Sequence, residues 1–234
     1  VDTKTFSSES IYPSWFGPIS WTLDNKAFTY FSQKTGDSKS HDFELNTKTK
    51  LHVLGQDVSK DMDFISNESY PALNIASNEL PFSWIDKYST DYIFADLANV
   101  RNEMFTYYAP ASQLMSDKKD WKILCRPEDG IVRGRVIIGN DLYAITHKNA
   151  KNFKLIHATL PNPDWNNAEV VAAEKPNQTL EYIEPTKDYL FLVYSDGVNN
   201  HLYKYNFKTK QTNEVKLPYS GSISFFTLDK KTNS

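Results

Sequence analysis

Leu180-Glu181-Tyr182-Ile183-Glu184, Tyr189-Leu190-Phe191-Leu192-Val193-Tyr194, His201-Leu202-Tyr203-Lys204-Tyr205-Asn206-Phe207 and Glu214-Val215-Lys216-Leu217 are four short apolar runs separated by polar turns. Runs rich in β-branched and aromatic residues with such boundaries read as strands. The second is apolar throughout, as expected of a strand covered on both faces. The order recurs upstream. Leu45, Leu97, Leu160 and Phe207 each stand just before a polar turn and mark a repeat of about 50 to 60 residues. Several short strands per unit at that period are the sequence mark of a β-propeller blade.

Working back from the fourth unit, the third reads as Ile131 to Ile138, a turn at Gly139-Asn140-Asp141, Leu142 to Thr146, Phe153 to Leu160, and Glu169 to Ala172. The first opens at Pro18 to Thr22, turns through Leu23-Asp24-Asn25-Lys26, and re-enters at Ala27 to Phe31. Asp and Asn suit that turn because they tolerate left-handed backbone. Alternation of Phe43 and Leu45 with charge predicts its third strand at His41 to Leu45, and Leu51 to Leu54 its outermost. In the second, Ala72 to Ile75, Phe82 to Ile85 and Tyr92 to Leu97 read as strands. An aromatic insertion from Ala98 to Lys119 precedes a last strand at Trp121 to Leu124, and is expected to bury its own aromatics as an extended hairpin, with a partner site as the alternative.

A fifth unit starts at Ser222 to Phe226 and is unfinished at Ser234. The expected fold is therefore all-β, a partial β-propeller of about four four-stranded antiparallel blades plus the start of a fifth. One domain covers 1–234, with blades at 14–61, 62–127, 128–175 and 176–219 and an incomplete blade at 220–234. Val1 reads as an interior point of a longer chain.

Composition narrows the function. The 234 residues are 40% hydrophobic and 14% aromatic, enough for a large core, and the net charge is −3. Nucleic-acid binding needs clustered Lys and Arg, so that partner is not expected. No apolar run approaches the length of a membrane span, and no membrane partner is expected. Cys125 stands alone, which rules out an intrachain disulfide and fits a reducing compartment.

Catalytic and metal motifs are missing from the sequence. A hydrolase nucleophile elbow needs G-x-S-x-G, because small neighbours let the serine stand on a strained turn. The nearest stretch, Gly36-Asp37-Ser38-Lys39-Ser40, ends in serine. His41, His52, His147, His157 and His201 never fall at zinc-peptidase spacing, and no cysteine pair exists, so neither a metal nor a cofactor is expected. A two-carboxylate glycosidase would need acids on the innermost strands, where the reading finds only Glu181 and Glu184.

Two stretches carry a family resemblance. Ser20-Trp21-Thr22-Leu23-Asp24-Asn25-Lys26-Ala27-Phe28-Thr29-Tyr30 and, more specifically, His52-Val53-Leu54-Gly55-Gln56-Asp57-Val58-Ser59-Lys60-Asp61 resemble the third-blade region of the propeller domain of prolyl oligopeptidases. The likeness continues through Trp121 to Leu124, Asn152 to Leu160 and Leu217 to Phe226. Asn78-Glu79-Leu80 departs from it, standing where the family prefers an Asp-Gly type of turn.

The resemblance implies a seven-bladed propeller capping an α/β-hydrolase domain that carries a Ser-Asp-His triad and cleaves oligopeptides after proline. This chain would be the middle of that propeller, without the catalytic domain and hence without activity alone. Its implied role is gating entry of oligopeptide substrate, with the hydrolase domain as partner. The family's pocket contribution, carried across by the motif, falls on Ser59 to Phe64, making Ser59, Asp61 and Phe64 the expected substrate-facing residues. Asp61 and Phe64 equally fit a turn cap and a core position. Family members occur in the cytoplasm and in bacterial envelopes, which leaves the compartment open between cytoplasm and periplasm. A stand-alone propeller scaffold for protein binding is the alternative. A fragment with open blade edges is expected to self-associate, since unpaired strand edges template strand addition.

Overall fold

The computed structural model describes residues 11, 14, 17–86, 91–224 and 228–233. Among these residues, sixteen strands form four sheets of four, each a meander in sequence order. The first sheet comprises β1 (Ser20–Trp21), β2 (Ala27–Ser32), β3 (Lys48–Val53) and β4 (Met62–Ile65). The second comprises β5 (Leu80–Trp84), β6 (Tyr92–Ala98), β7 (Phe105–Pro110) and β8 (Lys122–Cys125). The third holds β9 (Ile131–Ile138), β10 (Asp141–Thr146), β11 (Lys154–Thr159) and β12 (Glu169–Ala172). The fourth holds β13 (Thr179–Pro185), β14 (Tyr189–Ser195), β15 (Asn200–Asn206) and β16 (Thr212–Val215). Four-stranded antiparallel meanders of this kind are propeller blades.

The chain divides into two compact units, 1–101 with 105–123, and 102–104 with 124–234. In the first unit β2 is buried along its whole length, as its AFTYFS sequence demands of a strand with both faces covered. Its hairpin with β1 is locked at Thr22, whose hydroxyl donates to Asp24 Oδ1 at 2.7 Å and whose N–H donates to the Ala27 carbonyl at 2.9 Å. Asn25 supplies the left-handed residue at φ 55°. The two sheets of this unit meet through Phe31 and Phe82, with ring centroids 5.0 Å apart. The Thr49 hydroxyl adds a bond to the Pro81 carbonyl at 2.6 Å. Phe64, Ile65, Ile93, Ala95 and Leu97 form the core.

In the second unit Gly139 opens the two-residue turn between β9 and β10 at φ 60°. Glycine at the first central position is what a type II′ hairpin requires. Leu190, Leu192, Val193 and Tyr194 on β14 are all fully buried, so both faces of that strand are covered. Leu190, Leu192 and Tyr194 pack with Val136, Tyr143, Ile145 and Leu155 in one core.

The third and fourth sheets follow the sequence reading strand for strand; the first two do not. His41 to Leu45 is a series of turns, held by short-range bonds such as Phe43 N–H to Ser40 O at 3.1 Å. The third strand is instead 48–53, and the fourth, 62–65, pairs with it and carries the first sheet past residue 61. In the second sheet Pro71–Leu73 is a 3-10 turn, and the first strand is β5. Part of the expected insertion is a ladder strand: β7 pairs with β6 from Tyr92↔Pro110 to Leu97↔Phe105. The expected start of a fifth blade includes residues 225–227, which lie outside the described residues.

Candidate functional site

The segment after β3 turns through Gly55 at φ 80° and enters a 3-10 turn, Val58–Lys60. Asp57 caps that turn, its Oδ1 accepting the Ser59 N–H at 2.8 Å. A bond from the Ser59 side chain, with this backbone bond second, holds the Asp57 carboxyl below its ordinary value. Ser59 itself is exposed. Because the strands are antiparallel, this turn and the Thr22–Lys26 hairpin share one end of the sheet, tied by the Leu54 N–H to the Lys26 carbonyl at 2.9 Å.

Asp61 and Phe64 point the other way. Asp61 Oδ1 lies 2.7 Å from His52 Nδ1, and its Oδ2 accepts the Tyr30 hydroxyl at 2.8 Å. Burial, then the bond to Asp61, pushes the Tyr30 hydroxyl well above its usual range and keeps it a donor. Phe64 has 0% exposure and sits edge-on to Trp121, centroids 5.6 Å apart. Lys119 Nζ stands 4.7 Å above the Phe64 ring and donates to the Ser116 carbonyl at 2.8 Å. Thus of the three residues singled out in the sequence, Ser59 is on the surface, while Asp61 and Phe64 anchor its segment from within. Tyr30 and Lys119 were not legible as their partners, being distant in sequence.

A cavity of about 540 Å³ opens at the same end of this unit. Leu23, Asp24 and Val53 line it from the first sheet, and Ile85, Tyr92 and Met115 from the second. Its walls are mostly apolar with charged groups at Asp24, Lys26 and Asp86, the makeup of a surface for chains bearing both apolar and polar groups.

His147, His157 and His201 pair with carboxylates, Glu103 at 2.6 Å, Asp141 at 2.7 Å and Asp196 at 3.0 Å respectively. None of these three is bonded to a serine or cysteine, as an activated nucleophile would require. Among the described residues no group of three or more His, Cys, Asp or Glu side chains is placed to hold a metal. No helix among them is long and apolar enough to cross a membrane.

The family model described as the N-terminal β-propeller domain of prolyl oligopeptidase matches residues 1–234. A prolyl endopeptidase of Elizabethkingia meningoseptica is 28% identical over 98% of this chain and 31% of its own length. One from Elizabethkingia miricola is 25% identical over the same shares. The chain therefore spans about a third of the length of these relatives. Prolyl oligopeptidase B of Galerina marginata, solved bound to a 25mer macrocyclization substrate, superposes with a TM-score of 0.74 at 16% identity, covering 94% of this chain and 30% of that one. A prolyl endopeptidase solved in a study of inter-domain dynamics gives 0.70 at 18% identity, covering 88% and 28%. At such identities the structural likeness speaks for the fold, while the family match runs the length of the sequence. The chain belongs to the prolyl oligopeptidase family and falls in its N-terminal β-propeller domain.

Proposed function

We propose that this chain is the non-catalytic propeller portion of a prolyl oligopeptidase-like serine endopeptidase. It controls the access of proline-containing oligopeptides to an α/β-hydrolase domain carried elsewhere in the protein. The observation that carries the reading is the family match over residues 1–234 on a chain spanning 31% of its curated relatives. The blade geometry agrees with it. Within this role the exposed turn at Ser59 presents to the peptide, and the buried Asp61 and Phe64 fix its position. The blades of the proposed propeller follow the four sheets, with the boundary between the first two moved past β4, which ends at Ile65, and the later two at 128–175 and 176–219.

The test has two arms. The chain alone, given a fluorogenic peptide with an internal proline, should show no turnover; turnover abolished by a serine-directed inhibitor would overturn the non-catalytic reading. The protein in which it accompanies the hydrolase domain should cleave an octapeptide far faster than the same site in a folded protein. Equal rates on the two substrates would remove the gating role.

A further inference from the structure

We propose that a second cavity in the first unit, separate from the Ser59 turn, is a binding site for a small organic cation with an alkylated ammonium head. The cavity measures about 420 Å³ and is lined by Leu73, Asn74, Glu79, Leu97, Phe105, Tyr107, Trp121 and their neighbours. Its size lies in the range of small-molecule sites, roughly 300–1,000 Å³. The floor follows from strand geometry. Phe105 and Tyr107 alternate onto one face of β7, Leu97 stands opposite Phe105 across the ladder, and the two rings stack with centroids 6.3 Å apart.

The wall is the connection from β4 to β5, and it is fixed. Asn74 takes left-handed backbone at φ 51°, its N–H donating to the Pro71 carbonyl at 3.1 Å. The Asn46 N–H holds the Ser77 carbonyl at 2.7 Å. Glu79 closes a turn on Ala76: its own N–H donates to the Ala76 carbonyl, and its Oε2 accepts the Ala76 N–H, each at 3.0 Å.

That turn occupies only one carboxylate oxygen. Glu79 is 8% exposed, its bond to the Ala76 N–H uses Oε2, and no basic side chain is among the described residues that line the cavity. A carboxylate with no ion pair among the described residues attracts a cation that enters the cavity, and aromatic faces attract cations independently. A carboxylate in a cavity also lined by Phe105, Tyr107 and Trp121 supplies both kinds of contact that an alkylammonium group uses.

Choline and its uncharged carbon isostere 3,3-dimethylbutan-1-ol separate this from a merely apolar hollow. In ligand-observed NMR titrations of the 234-residue chain, choline should bind saturably and at least tenfold more tightly than the isostere. Glu79→Gln keeps an oxygen for the Ala76 N–H and should retain the fold by circular dichroism while weakening choline at least fivefold. Phe105→Leu, on the partly exposed floor, should weaken it several-fold. Equal binding of the two probes, undiminished binding by Glu79→Gln, or no saturable choline binding overturns the proposal.

Discussion

His52 Nδ1 and Asp61 Oδ1 lie 2.7 Å apart, with side chains only 0% and 1% exposed. The pair joins β3 to the start of β4, and the Tyr30 hydroxyl brings in β2. Removing the carboxylate leaves a buried imidazole and a buried hydroxyl without their acceptor. Asp61→Ala should therefore cost about 3 kcal/mol, and Tyr30→Phe, which removes one charge-assisted bond, about 1.5 kcal/mol. Urea unfolding followed by tryptophan fluorescence checks both. A loss under about 0.5 kcal/mol for Asp61→Ala would mean that the network is not a stabilising contact.

Lys119 gives a pH dependence of definite sign. Its side chain is buried, and desolvation lowers its pKa from 10.5 to about 8 despite the opposing charge of Asp117. Below pH 8 both native and unfolded chains carry the proton, and the native state bears the full desolvation cost. Between pH 8 and 10.5 the native amine is neutral while the unfolded one is still protonated, so raising the pH favours the native state. Compared with Lys119→Met, which has no such titration, the wild type should gain roughly 2–3 kcal/mol across that window. Paired urea titrations at pH 7, 9 and 10.5 read it. A wild-type minus variant difference that stays flat, or falls, contradicts the assignment.

What the sequence shows of this fold depends on how each turn is made. β9–β10 is legible because Gly139-Asn140 is a two-residue hairpin between long apolar runs, and β14 because its apolar run is uninterrupted. The first sheet is harder since β1 is two residues long. Phe43 and Leu45 alternate like a strand, but local turn bonds consume the backbone groups that a ladder would need. Phe105 to Pro110 reads as an insertion only when strands are assigned one step too early. The site divides in the same way. The motif locates the segment of Ser59, Asp61 and Phe64, whereas burial of the last two depends on Tyr30 and Trp121, whose approach is tertiary.

Gly17 is set by close approach. Its φ is +110°, and a Cβ there would fall 2.8 Å from Phe31 Cβ and 3.1 Å from Phe82 Cε1. Both the backbone conformation and the space exclude a side chain. Gly17→Ala should cost about 2–4 kcal/mol, combining backbone strain with overpacking against the Phe31–Phe82 pair. Thermal and urea denaturation test it, and a variant as stable as the wild type would show that neither constraint operates.

Ser59 separates function from stability. Its side chain is exposed and its turn is held through its backbone N–H by Asp57, so a larger side chain has room without disturbing the core. Ser59→Trp should change stability by less than about 0.5 kcal/mol, as surface substitutions do. If the turn presents to substrate, the same change should alter kcat/KM for proline-containing peptides severalfold in the protein that includes the hydrolase domain. Its effect should grow with peptide length, because longer chains reach further across the propeller surface. Asp61→Asn supplies the opposite pattern, with reduced stability and no length-dependent change in kcat/KM at temperatures where the fold persists. Unchanged kinetics for Ser59→Trp on every peptide length would remove this turn from the substrate path and leave the propeller's gating role to other surfaces.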